Sequence, residues 1–293
     1  MKVCRFLCSA VVFLLAVSCS TARFAAGPES HAIESIEGCD GIVEVVSYPS
    51  SEPRLSERRM VVYLPPEYYA DSLRSYPVLY LLHGARGNEV SWIERGDAFR
   101  LLDSLRERDL AEDFILVLPN TNNYYSDKDY MNGHALPAFR AFWLVSGETE
   151  RYFMQDVVER VDSLYRTVED KSARAIAGMS SGGLQALHLS ANSPGCFDYV
   201  ALFSPYTKPT FAAWGHRDVY GRLWPKLERQ FETPPAKYNI YIGKKDFFIH
   251  HISHFDRRMS RRGFDHNLIV TEGGHRWSNW RSYLADFYTS VFK

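Results

Sequence analysis

The strongest constraint on this chain is a series of short runs, most of them apolar on both faces. They lie at 77–82, 114–118, 173–177, 199–203, 238–242 and 267–270. A strand with one face in water alternates apolar and polar residues, whereas a strand covered by helices on both faces does not. These runs therefore predict the buried strands of a mostly parallel, helix-covered sheet. Two earlier runs, 42–48 and 59–64, also read as strands, the second stopped by Pro65 and Pro66. Helical patterns fill the intervals. Residues 148–165 place Phe153, Val157, Val161 and Leu164 on one face, 182–189 form a second helix stopped by Asn192-Ser193-Pro194-Gly195, and Trp280, Leu284, Phe287 and Val291 mark a C-terminal helix over 277–291. Strand and helix alternating in this way give an α/β architecture, in which ligands gather at the carboxyl ends of the strands.

The chain has 293 residues, 46% of them hydrophobic, which suffices for one large domain with a sizeable core. A formal net charge of −1 argues against a nucleic-acid partner, which would require a basic face.

The first residues stand apart from the fold. Lys2 and Arg5 precede an apolar run over 6–17 that is too short to span a bilayer and matches a secretory signal. It ends in Leu15-Ala16-Val17-Ser18-Cys19, which resembles a bacterial lipobox. The expectation is a lipoprotein signal peptide at 1–18, a lipid on Cys19, and export to the periplasmic or cell-surface face of a bacterial membrane. A plain signal peptide cut nearby is the alternative. Polar residues with a Gly-Pro pair make 19–38 a flexible tether, leaving 39–293 as the folded domain. Cys39 and Cys196 remain in that domain, either paired or as two buried thiols.

Ile176-Ala177-Gly178-Met179-Ser180-Ser181-Gly182-Gly183 carries chemistry. It contains G-x-S-x-G after a predicted strand and before a predicted helix. A serine on such a sharp turn is pushed clear of the backbone, and the glycines let strand and helix approach closely. Ser180 is the candidate nucleophile, and Ser181 the less suitable rival. A serine hydroxyl needs a base, and the base needs a group to hold its tautomer. On this kind of turn the acid and then the histidine follow the serine in the chain. His275 stands directly after the last strand, behind Gly273 and Gly274, and is the candidate base. His250, His251 and His254 fall in a probable helix, and His266 sits at the wrong end of the last strand. Asp246, where the 238–242 strand enters a loop, is the candidate acid, ahead of Asp218 and Glu272. A backbone N–H from the loop Leu82-His83-Gly84-Ala85-Arg86-Gly87, assigned to Ala85, and that of Ser181 could bind an oxyanion. The His83 ring is read as a brace for this loop. The sequence offers no metal-ligand cluster, and this chemistry requires no metal or organic cofactor.

Taken together, these residues resemble the esterase family of α/β-hydrolases. That family includes feruloyl and acetylxylan esterases of carbohydrate esterase family one, S-formylglutathione hydrolases, enterochelin esterases and mycolyltransferases. The resemblance spans about residues 40–292. It rests on Val62-Tyr63-Leu64-Pro65-Pro66, Tyr76-Pro77-Val78-Leu79-Tyr80-Leu81-Leu82-His83-Gly84, Trp92, the 173–183 segment, Gly274-His275-Arg276-Trp277 and Trp280. It implies the α/β-hydrolase fold, with a mostly parallel sheet of about eight strands and helices on both faces. It also implies roles for Ser180, Asp246, His275 and the N–H groups of Ala85 and Ser181, and a feruloyl or acetyl ester of a polysaccharide or oligosaccharide as substrate. An acyltransferase using the same triad, and a non-catalytic carbohydrate-binding protein of the same fold, are the competing readings. Two stretches after strand ends, 120–147 and 205–224, are rich in aromatics, the first with amides among them. Asn120, Tyr124, Tyr125, Trp143 and Trp214 are the candidate substrate wall, suited to a sugar or an aromatic acyl group. A packed surface loop is the other reading of the first stretch.

Overall fold

The computed structural model describes the backbone of residues 31–33 and residues 39–53, 55–122, 147–207 and 216–293. Within them lie nine strands: β1 (His31–Ile33), β2 (Ile42–Pro49), β3 (Glu57–Leu64), β4 (Val78–Leu82), β5 (Ile115–Pro119), β6 (Arg174–Met179), β7 (Tyr199–Phe203), β8 (Lys237–Gly243) and β9 (Asn267–Thr271). They form one sheet in the order β1-β2-β3-β5-β4-β6-β7-β8-β9. β1 and β3 run antiparallel to their neighbours, and β5, β4, β6, β7, β8 and β9 run parallel. The chain sets β5 on one side of β4 and β6 on the other, so the strand order reverses around β4. That reversal opens a crevice at the carboxyl ends.

The described helices are α1 (Ser91–Glu94), α2 (Ala98–Arg106), α3 (Glu148–Phe153), α4 (Glu159–Leu164), α5 (Ser181–Asn192), α6 (Arg217–Tyr220), α7 (Leu223–Glu232), α8 (Ile249–Ser260) and α9 (Trp277–Tyr288). Alternate residues of each strand feed two cores. Val78, Tyr80 and Leu82 of β4 pack with Phe153, Leu187 and Ile252 on one face, while Leu79 and Leu81 pack with Phe99, Leu102, Leu284 and Phe287 on the other. Every residue of β4, β5 and β7 is buried, which is why these runs show no alternation in the sequence. Each fully buried Val, Leu or Ile contributes about 1.5–3 kcal/mol.

The α/β-hydrolase architecture expected from the sequence is present, with two corrections. First, the sheet has a ninth strand, β1, inside the stretch expected as a tether. The exposed edge of β2 offers unpaired backbone groups, and His31–Ile33 pairs with them in the register His31↔Val45 and Ile33↔Val43. Second, the helix expected over 148–165 is interrupted by a π turn at Met154–Val158. Its wider turn breaks the spacing used to place Leu164, which is 46% exposed, while Phe153, Val157 and Val161 are buried as expected. Of the two readings left open for Cys39 and Cys196, the structure has the second: they are free thiols, packed into the cores on opposite faces of the sheet.

Candidate active site

Ser180 lies between β6 and α5 with φ 53° and ψ −112°, a backbone conformation that non-glycine residues rarely adopt. Three hydrogen bonds hold it there. Its N–H donates to Phe203 O at 2.8 Å, and its carbonyl accepts from Leu184 N at 3.1 Å and Tyr206 N at 3.4 Å. The glycines of the motif are needed for close approach. A Cβ on Gly178 would meet Gly182 O at 2.4 Å, and one on Gly182 would meet His83 O at 2.3 Å. The start of α5 is thus packed directly against β6 and the end of β4.

Three side chains that are distant in sequence meet above this turn. Ser180 Oγ lies 3.0 Å from His275 Nε2, and His275 Nδ1 lies 3.0 Å from Asp246 Oδ2. Asp246 is buried, and its other oxygen accepts from Phe248 N at 2.9 Å. Burial alone would raise the Asp246 carboxyl. Hydrogen bonds from His275 and the Phe248 N–H outweigh it and hold the group below the usual carboxylate range. An ionised Asp246 fixes the His275 proton on Nδ1 and leaves Nε2 free to accept the serine proton. Phe247, Phe248 and Trp280 surround the imidazole at centroid distances of 4.4, 5.4 and 5.0 Å.

The rival acids are engaged elsewhere. Asp218 pairs with Arg151 at 2.8 Å, and Glu272 is exposed and pairs with Lys244. His266 bonds Asp256 at 3.2 Å, while His250, His251 and His254 lie on α8.

The loop after β4 borders the serine, since a Cβ on Gly84 would meet Met179 Cε at 3.3 Å. His83 is buried and braces this loop. Thr121 N–H donates to His83 Nε2 at 3.0 Å, which leaves the proton on Nδ1, and Nδ1 donates to Gly84 O at 2.8 Å. Burial pushes the ring's pKa down to about 4, so it stays neutral. Gly84 O also accepts from Gly87 N at 3.0 Å. In a planar trans peptide the C=O and N–H point in opposite directions, so anchoring Gly84 O fixes the direction of the Ala85 N–H. Ser181 is the first residue of α5, and its N–H has no acceptor within the helix.

Sequence reasoning missed the buried polar frame behind these loops. Trp92 Nε1 donates to Leu82 O at 3.0 Å. Gln185 accepts from Thr121 Oγ1 at 2.9 Å and donates to Glu150 Oε1 at 2.8 Å. Arg58 donates to Glu52 Oε1 at 2.7 Å, Asn120 O at 2.8 Å and Asn122 O at 2.9 Å, and the Asn122 amide reaches Gly87 O. Asn120, expected on the substrate wall, belongs to this frame instead. It is buried, and its amide donates to Glu89 Oε2 at 2.6 Å. Tyr124, Tyr125, Trp143 and Trp214 lie outside the described residues, as does Cys19. Among the described residues no group of three or more His, Cys, Asp or Glu side chains could hold a metal ion.

Comparison with known proteins places the chain in a family and a fold. The Esterase family model, described as "Putative esterase", matches residues 51–289. An endo-1,4-beta-xylanase/feruloyl esterase of Xylanibacter ruminicola is 28% identical over 237 residues, covering 79% of this chain and 29% of the relative, so the chain spans under a third of that protein's length. A solved ferulic acid esterase superposes with a TM-score of 0.69 at 25% identity, covering 85% of this chain and 97% of that one. A CE1 ferulic acid esterase of Anaeromyces mucronatus, solved with ferulic acid, shares the fold, with a TM-score of 0.68 at 19% identity and coverage of 86% and 91%.

Proposed function

The chain belongs to the Esterase family, the carboxylic-ester hydrolases of the α/β-hydrolase fold, and from that premise we propose that it removes feruloyl or acetyl groups from polysaccharide or oligosaccharide esters by an acyl-enzyme mechanism. Ser180 Oγ attacks the ester carbonyl while His275 Nε2 takes its proton. Asp246 stabilises the resulting imidazolium. The Ala85 and Ser181 N–H groups receive the tetrahedral oxyanion. His275 returns the proton to the departing alcohol, and water repeats the sequence on the acyl-serine to release the acid.

The observation that carries this reading is the unbroken hydrogen-bonded line from Asp246 through His275 to Ser180, with 3.0 Å at each step. The strained backbone at Ser180 also supports it, since such strain persists where it serves function. The acyl preference is drawn from the feruloyl and ferulic acid esterases to which the chain is similar. Export with a lipid on Cys19 is part of the same proposal, supported by the charged, apolar and small-residue order of residues 1–19.

The test is a panel of feruloyl, acetyl and longer-chain esters of aryl and sugar alcohols, with Ser180→Ala as the blank. The variant is expected to lose at least about a thousandfold in turnover. Retained activity would assign the chemistry to another residue. Product transfer to an added sugar that outpaces hydrolysis would favour an acyltransferase. Replacing Cys19 with Ala is expected to move the protein from the membrane to the soluble fraction.

A further inference from the structure

Of the three rings packed around His275, Phe247 is the one exposed to solvent, and the chemistry above does not use it. Its neighbours in sequence, Asp246 and Phe248, both point inward, one to hold His275 and the other into the core. Phe247 points outward and is 67% exposed, and its ring lies 4.4 Å from both the His275 and Phe248 rings. Most large apolar side chains exposed among the described residues stand elsewhere. Leu73 and Leu164 precede β4 and β6 and so lie at the amino ends of the parallel strands, while Val270 is on edge strand β9. Tyr69 follows the antiparallel β3 and spends its hydroxyl on Glu44. Phe247 alone follows the carboxyl end of a parallel strand, next to the reacting groups.

The direction of proton transfer says which part of the substrate lies there. The oxygen leaving the ester must take its proton from His275 Nε2, so the alcohol sits on the histidine side of Ser180 and the acyl group extends away from it. A ring packed against His275 and open to solvent borders the alcohol. Phenylalanine cannot hydrogen-bond. It offers a flat, electron-rich face suited to the C–H face of a pyranose or furanose ring.

We propose that Phe247 is the stacking platform for the sugar ring of the alcohol, and so sets preference for glycosyl over simple alkyl esters. This rests on the esterase reading given above. The test compares two esters sharing one acyl group, methyl ferulate and feruloyl-arabinose, with methyl acetate and acetylated xylotriose as a second pair. The readout is the ratio of kcat/KM for the sugar ester to that for the methyl ester, which cancels any effect on His275 common to both. Phe247→Leu, which keeps bulk against the imidazole without the aromatic face, is expected to lower this ratio about tenfold, and Phe247→Tyr to keep it within about twofold. A ratio unchanged in Phe247→Leu, in a wild type that cleaves both members of a pair, overturns the platform and leaves the esterase reading intact. A wild type that cleaves neither member of either pair overturns the substrate reading and the platform with it.

Discussion

Replacing His83 with alanine separates a residue that aims the oxyanion loop from one that performs chemistry. The ring makes two buried hydrogen bonds, accepting from Thr121 N at 3.0 Å and donating to Gly84 O at 2.8 Å. Its removal leaves the Thr121 N–H without that acceptor, at a cost of about 1–3 kcal/mol, and releases one of the two donors on Gly84 O. With the cavity left behind, the variant should lose about 2–5 kcal/mol, a drop in Tm of about 5–15 °C that leaves it folded at 25 °C.

The catalytic effect follows from the same bond. Without the imidazole, the 84–85 peptide is held only by Gly87 N at 3.0 Å and can rotate. The Ala85 N–H then no longer points reliably at the oxyanion. Losing one such donor costs about 10²–10³ in kcat. The oxyanion exists only in the transition state, so KM should change by less than about threefold. The assay is steady-state hydrolysis of an aryl ester at pH 7.5 and 25 °C, with circular dichroism to confirm folding. His83→Gln, whose amide can both donate and accept, should recover part of kcat. A folded His83→Ala protein with kcat within about threefold of wild type would refute the argument, since the loop would then be aimed without the ring. A raised KM at constant kcat would instead place His83 in contact with substrate.

Three further perturbations have definite signs. Asp246→Asn should keep the fold but lower kcat about 10⁴-fold, because an amide facing His275 Nδ1 favours the wrong tautomer; near-normal turnover would remove Asp246 from the mechanism. Gly182→Ala should fail to accumulate as folded protein, since its Cβ would stand 2.3 Å from His83 O and 2.7 Å from Leu82 O, backbone atoms that cannot move aside; a soluble variant with wild-type Tm would contradict this packing. His188 is fully buried, with its pKa pushed down to about 3 by burial and by Lys226. The unfolded chain therefore takes up a proton near pH 6.5 that the folded chain refuses, and the native state loses about 2 kcal/mol from this group between pH 7.5 and pH 5. Urea titrations at those two pH values should show a smaller loss in His188→Leu than in wild type, and an identical loss would rule out this contribution.

The parts of the site legible in the sequence are those that local sterics impose. Gly178, Ser180 and Gly182 are close enough along the chain that one tight turn dictates all three, and a Cβ at either glycine would strike backbone. His275 is legible from its place directly after the last strand, behind Gly273 and Gly274; in the structure Gly273 has φ 87°, and a Cβ on Gly243 would meet its carbonyl at 2.5 Å, so the loops after β8 and β9 touch through glycines. Asn120 shows where this reasoning stops. A polar residue at a strand end looks the same in sequence whether it faces a cleft or a carboxylate, and its partner Glu89 is 31 positions away. The bonds from Thr121 to His83 and Gln185 span 38 and 64 positions, and no local pattern encodes them. β1 escaped for a related reason, because its pairing is set by the free edge of β2 rather than by its own three residues.

The strained residues of the site show how the fold sustains what the local sequence disfavours. Arg86, Ser180 and Ser204 follow β4, β6 and β7, and all three have positive φ, at 65°, 53° and 46°. Each such residue costs about 1–3 kcal/mol. For two of them, backbone bonds between neighbouring strands continue one residue past the strand end. Ser180 N donates to Phe203 O at 2.8 Å, and Ser204 N donates to Tyr241 O at 2.7 Å. The acceptors belong to β7 and β8, whose side chains there are buried in the core that also holds Tyr283 and Phe287. Rotating Ser180 back to a relaxed conformation would break its bond to β7 and pull its carbonyl from Leu184 and Tyr206. The strain is therefore balanced by the packing of the central sheet, and substitutions that loosen that packing should weaken the site before they unfold the domain.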